Sequence, residues 1–209
     1  VLAVDLGSGL LDSEAPWLPS NMRPLPSWIT DEPSVTHSIH DGADIVMFSG
    51  DKLLGGPQCG IIAGRSDLIE RCARHPLMRA LRPGHHALVP LQHVLMSYVN
   101  RTASDDILFW KMASTSPNDL ASRAERIVAH AGRGEVRESL AVVGAGAAPA
   151  ATLPSRAVVV QGDRSGELRR ALPFPVIGRV ADGYTWIDLR SVDPSDDDNI
   201  AQALAALEG

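Results

Sequence analysis

With 209 residues, 44% of them hydrophobic, and a mean hydropathy near zero, the chain has the composition of a soluble globular protein with one large core or two small ones. No apolar run approaches the roughly 20 residues needed to cross a bilayer as a helix. The formal net charge of −6, with arginines spread along the chain, argues against a principal nucleic-acid grip here, because a phosphate backbone demands clustered Lys and Arg.

Residues 1–6 read as a buried strand that ends in the Asp5/Gly7/Gly9 turn, where glycine permits backbone conformations closed to other residues. Residues 12–33 hold five prolines and two tryptophans and predict an ordered loop rather than a regular element. Ser34 caps a short helix running to His40, and Gly42 ends it. Strands are predicted over 44–48 and 59–63. Ser66 caps a helix over 67–74 that Pro76 breaks, and helices follow over 87–100, 105–113 and 118–131. The strand–helix–strand order predicts an α/β region with a mostly parallel sheet. Past Gly134 the texture changes: strand-like runs at 136–143, 157–161, 176–180 and 185–189 alternate with helices near 165–171 and 196–207. That is a small α+β unit of four strands and two helices, so the domain reading is 1–115 and 116–209. The stretch 144–151 is rich in small residues.

The most informative segment is Phe48-Ser49-Gly50-Asp51-Lys52-Leu53-Leu54-Gly55-Gly56-Pro57-Gln58. Lys52 stands just after an apolar strand, on a loop too rich in glycine for a packed helix, and Ser49 lies three residues before it. A hydroxyl and an amine that share a small volume suit pyridoxal phosphate: the lysine forms an imine with the aldehyde and the serine helps hold the phosphate. A surface lysine in a tight turn is the competing reading of one such residue.

The string SGDKLLGGPQ closely resembles the lysine segment of bacterial selenocysteine synthases, the L-seryl-tRNA(Sec) selenium transferases, and the resemblance runs through nearly the whole chain. Val4-Asp5-Leu6-Gly7-Ser8-Gly9 is similar to that family's aspartate segment, and His75-Pro76-Leu77-Met78-Arg79-Ala80-Leu81-Arg82 to its arginine segment. Pro175-Val176-Ile177-Gly178-Arg179 and Asp188-Leu189-Arg190 resemble the last strands of its small domain. Pro83-Gly84-His85-His86 stands where that family usually has an aspartate–lysine pair, which is a departure.

The resemblance implies the C-terminal portion of a fold-type I enzyme dependent on pyridoxal 5'-phosphate: part of its large α/β domain followed by a small α+β domain. It implies conversion of seryl-tRNA(Sec) to selenocysteyl-tRNA(Sec) with selenophosphate, through an aminoacrylyl-tRNA intermediate, in a cytoplasmic, ring-like homo-oligomer. On that basis Lys52 bears the cofactor and later moves the Cα proton, and Asp51 beside it assists. Asp5 faces the pyridine nitrogen, and a carboxylate there keeps the ring an electron sink. Ser49 binds the cofactor phosphate. Arg79 and Arg82, three apart, share a helical face and clamp the selenium donor or a tRNA phosphate. A lyase acting on a small amino acid with the same cofactor, and a non-catalytic oligomerisation fragment, are the alternatives. Adjacent His85 and His86 point to different sides of an element and lack a third ligand, so no metal is expected. The tryptophans read as packing residues. Cys59 and Cys72 match no metal or disulfide spacing and indicate reduced thiols. Because the sequence begins at Val1 inside a strand-like run, with no signal peptide, the expectation is that more chain lies upstream.

Overall fold

Val46 and Phe48, alternate residues of one five-residue strand, turn the same way into an apolar layer, and that period-two burial organises the first of two units. The computed structural model describes residues 1–144, 148 and 151–208. One unit comprises residues 1–114 with 143–151, the other residues 115–142 with 152–209. Most of the small-residue stretch 144–151 lies outside the described residues.

In the first unit, β1 (Ala3–Gly7) pairs in parallel with β2 (Ile45–Ser49), setting Val4 against Val46 and Gly7 against Phe48. β2 pairs antiparallel with β3 (Gly60–Gly64), setting Met47 against Ile62 and Ser49 against Gly60. The sheet order is β1-β2-β3, so the sheet is mixed rather than mostly parallel. The connection lengths explain this: the long stretch between β1 and β2 permits a crossover, whereas the short loop after Ser49 can only return the chain as a hairpin.

The expected loop before Ser34 contains a 3₁₀ turn (Ser20–Met22) and a single helical turn, α1 (Ser27–Thr30). Its Trp17 and Trp28 are buried. Ser34 does cap α2 (Val35–His40), accepting from the His37 N–H at 3.3 Å. Val35, Val46, Phe48 and Leu54 form a core flanked by Val4, Leu6, Ile61, Leu91, Val94 and Tyr98. Fully burying each such large apolar side chain contributes about 1.5–3 kcal/mol.

α3 (Ser66–Arg74) begins one residue earlier than predicted, so Ser66, the expected cap, is its first helical residue and Arg65 takes the cap position. Arg65 forks onto Asp67 (3.1 and 2.9 Å) and reaches Asp44 (2.8 Å). α4 (Leu77–Ala80) is a single turn, and α5 (His85–Val99) carries Pro90 within it. The single helix expected over 105–113 is two: α6 (Ala103–Asp106) and α7 (Leu108–Ser114). Ile107 between them is extended and buried, and an added Cβ on Gly55 would lie 2.3 Å from its Cγ2. A tertiary contact, absent from any local propensity, breaks that helix.

In the second unit, α8 (Pro117–Ala131) is followed by β4 (Glu135–Val142), β5 (Thr152–Gln161), one turn α9 (Ser165–Leu168), β6 (Arg179–Ala181), β7 (Tyr184–Asp188) and α10 (Asp197–Ala205). The sheet, in order β4-β5-β7-β6, is antiparallel throughout. Leu120, Ala124 and Ile127 of α8 and Ile200 and Leu204 of α10 pack on Val158, Val160 and Ile187. The helical layer is therefore α8 with α10, and the helix predicted over 165–171 stops after one turn. The strand predicted over 176–180 shrinks to three residues, because Val176 is buried in the core and its N–H goes to the Leu168 carbonyl at 2.9 Å. Asp188 ties three strands, accepting from Ser139 (2.5 Å) and Ser155 (2.7 Å). Among the described residues, no helix is long and apolar enough to cross a membrane.

Two outcomes follow from the charged contacts. Buried Arg123 donates to both oxygens of Asp197 (3.0 and 2.7 Å) and to the Leu189 and Val192 carbonyls. Asp197→Ala leaves that guanidinium uncompensated and is expected to lower unfolding free energy by about 3–5 kcal/mol in urea titration. Asp44 accepts from the Leu2 N–H at 2.7 Å, and its bond from Arg65 first and that N–H second hold its carboxyl below the usual range. A depressed carboxyl stabilises above its unfolded pKa and loses that contribution as pH falls through the folded value. The melting-temperature gap between wild type and Asp44→Asn is therefore expected to be full at neutral pH and to close in acid.

Candidate functional site

Parallel pairing puts the C-terminal ends of β1 and β2 at the same sheet edge, where α/β sheets present ligand-binding loops. β1 runs into Gly7-Ser8-Gly9, with Gly7 and Gly9 at φ +64° and +75°, a region that favours glycine. A Cβ on Gly9 would sit 2.6 Å from the Ser49 carbonyl oxygen, so the two strand ends approach more closely than any side chain would allow. The Leu53 N–H donates to the Ser8 carbonyl at 2.8 Å, lacing the loop after β2 onto the turn after β1.

That lacing places Lys52. Its Nζ lies 3.8 Å from where a Gly7 Cβ would be, and the side chain is half-buried. Among the described residues, no hydrogen bond or ion pair occupies the amine. Asp5 is on β1, opposite Met47, and its Oδ1 accepts from the Gly7 N–H at 3.1 Å. The carboxylate thus bends toward the residue that faces the Lys52 amine. Ser49 closes β2 and is half-buried. Asp51 is exposed beside Lys52. Burial first, and the Asp51 charge second, push the Cys59 thiol up, so Cys59 stays neutral and does not compete as a nucleophile.

The structure thus gathers Asp5, Ser49, Asp51 and Lys52 at one edge. It does not draw in the arginines. Arg79 lies in α4, but α4 ends at Ala80, and Arg82 is beyond its Leu81 cap, so the expected shared helical face does not form. Pro83 disfavours helical geometry at the preceding residue, which is Arg82. Both arginines are exposed, and among the described residues no hydrogen bond or ion pair ties either to the Lys52 loop.

Two features of the site were not anticipated. The Ser8 hydroxyl, in a residue only 2% exposed, has no partner among the described residues. A buried unsatisfied hydroxyl costs about 1–3 kcal/mol. The Tyr98 hydroxyl lies on the Leu54 carbonyl (2.9 Å), fastening the loop two residues after Lys52. Helical spacing with Leu91 and Val94 marks Tyr98 as inward-facing, but its partner is 44 residues away and invisible to periodicity.

A family profile described as "SelA: L-seryl-tRNA selenium transferase" matches residues 2–193. The chain belongs to that family. It is 38% identical over 221 residues to the L-seryl-tRNA(Sec) selenium transferase of Moorella thermoacetica, an alignment covering 98% of this chain and 44% of that protein. The transferase of Edwardsiella ictaluri is 39% identical over 207 residues, covering 90% and 42%, and that of Shigella flexneri serotype 5b is 36% identical over 209 residues, covering 92% and 43%. The chain thus spans less than half the length of these curated selenium transferases.

The two glycines of the selenium-transferase turn discriminate strain from collision. Gly7→Ala is expected to cost about 1–2 kcal/mol for its left-handed φ, since an added methyl there meets only the end of a flexible lysine. Gly9→Ala carries the same strain and also collides with backbone, so chemical denaturation is expected to show the larger loss.

Proposed function

We propose that this chain is the C-terminal portion of a fold-type I enzyme that uses pyridoxal 5'-phosphate to convert seryl-tRNA(Sec) to selenocysteyl-tRNA(Sec) with selenophosphate. Residues 1–114 would be the C-terminal part of the cofactor-binding large domain. The observation that carries the reading is the Lys52 amine, unpaired among the described residues and set against Gly7, two residues past Asp5, in a chain of the selenium transferase family.

The residues at this edge fit the cofactor. Lys52 offers an amine to its aldehyde, Asp5 a carboxylate to its ring nitrogen, and Ser49 a hydroxyl to its phosphate; the nearby Ser8 hydroxyl is buried without a partner among the described residues. Bound there, the cofactor supplies an electron sink that makes the serine Cα–H acidic. Lys52 removes that proton and returns it, and Asp51 at its side assists the transfer. Asp5 keeps its negative charge toward the ring nitrogen. Arg79 and Arg82, exposed and free of ion pairs among the described residues, bind the oxyanion of the selenium donor.

With a net charge of −6, this chain contributes little of the tRNA grip, which falls to other surfaces. A homo-oligomer with shared sites belongs to the same proposal; exposed Leu88, Leu95 and Val99 on α5 support a further packing partner.

Mixing the protein with pyridoxal phosphate is expected to produce a visible absorption band that Lys52→Ala abolishes. Selenium transfer to seryl-tRNA(Sec) should fall with the same substitution by about 100- to 10,000-fold. A band that survives Lys52→Ala removes this lysine from the reaction. An intact band without tRNA product assigns the same amine to a lyase acting on a small amino acid.

A further inference from the structure

The loop bearing Lys52 has nothing regular to hold it: residues 50–59 are neither helix nor strand. The Leu53 N–H on the Ser8 carbonyl holds it toward β1, and the carbonyls after Lys52 are held from a second direction. The Tyr98 hydroxyl contacts both of the next two, Leu54 at 2.9 Å and Leu53 at 3.3 Å. The same hydroxyl accepts from the Trp110 indole N–H at 2.5 Å, which directs its single proton toward the carbonyls. Trp17 meets Tyr98 edge-on at 4.8 Å and Trp110 at 5.4 Å, while Trp28 stacks on Trp110 at 6.1 Å. Two indoles, Trp17 by its edge and Trp110 by its N–H, therefore hold the phenol, and Trp28 backs Trp110.

We propose that Tyr98, oriented by Trp110, is a positioning residue for Lys52: it locks the Leu53 and Leu54 carbonyls and thereby fixes where the amine is presented. Burial, against the opposing effect of the Trp110 N–H, keeps the phenol protonated well above its ordinary range, so the donor persists at every working pH. The loop is also stopped from below, because Ile107 fills the space that any side chain on Gly55 would need. The catalytic consequence rests on Lys52 being the cofactor-bearing lysine proposed above; the positional consequence does not.

The sequence contains two lysines, Lys52 and Lys111, so amine chemistry reads this loop directly. Competitive acetylation with acetic anhydride, resolved by peptide mass, gives the reactivity of Lys52 relative to a free lysine standard acetylated in the same mixture. Fixation of pyridoxal phosphate on Lys52 by borohydride gives its productive presentation. Tyr98→Phe and Trp110→Phe are compared with Leu68→Ala, which loosens buried packing in α3 without touching the loop. Loss of one neutral hydrogen bond is expected to raise the Lys52/standard acetylation ratio about fivefold and slow fixation by a similar factor in Tyr98→Phe. Leu68→Ala, with an equal drop in melting temperature, is expected to leave both unchanged. Should Tyr98→Phe fail to fold, Trp110→Phe is scored by the same two readouts. An acetylation ratio that is unchanged or lowered, or that Leu68→Ala raises equally, overturns the positioning role. A wild-type chain that fixes no pyridoxal phosphate on Lys52 while the ratio still responds refutes the proposed cofactor role and upholds the positioning one.

Discussion

The first unit depends on an approach between two backbones that no side chain could survive. At Gly9 the turn after β1 presses against the Ser49 carbonyl at the end of β2, and both flanking glycines of that turn sit at positive φ. Once the strand ends are that close, the Leu53 N–H meets the Ser8 carbonyl and the lysine before it is carried over Gly7. The position of the amine is a consequence of backbone contact rather than of any bond made by the amine itself. An amine without partners among the described residues is available for covalent chemistry.

Around this contact, the proline- and tryptophan-rich segment before Ser34 has a defined task. With only single turns of helix it buries little through regular structure, yet both its tryptophans pack on Trp110, Trp17 also edges onto Tyr98, and the Leu10 carbonyl receives the Val35 N–H at 2.9 Å. The second unit uses a different economy of polar groups. Asp188, Arg190 and Arg123 are drawn inward to satisfy carbonyls and hydroxyls between strands and helices, Arg190 reaching the Thr115 carbonyl at 2.8 Å. The Asp188-Leu189-Arg190 motif therefore reads as architecture. Buried polar groups of this kind are costly unless fully paired, and here the pairs join segments far apart in sequence.

Much of this was legible beforehand where the signal is local. Ser34 as a cap, the two strands bracketing Lys52, the turn glycines and the apolar stripe of α8 all follow from one residue's immediate neighbours. Two of the failures share one cause: the helix over 105–113 breaks where Ile107 packs against Gly55, and the strand over 176–180 is cut short because Val176 is claimed by the core beside Leu168. The Tyr98 contact escaped notice for the same reason, as its partner lies 44 residues upstream. Arg79 and Arg82 part for a local reason, because Pro83 follows Arg82 and disfavours a helical turn there.

By itself, the sequence determined the family, the lysine string with its strand on either side, and the change of texture past Gly134, since these rest on residue identity and short-range periodicity. Only the tertiary structure decided that the Lys52 amine stands over Gly7, that Ser8 keeps an unanswered hydroxyl, and that a tyrosine on a distant helix holds the loop. Such facts depend on which atoms from remote segments come within a few ångströms of each other, and close packing sets that only when the whole unit is assembled.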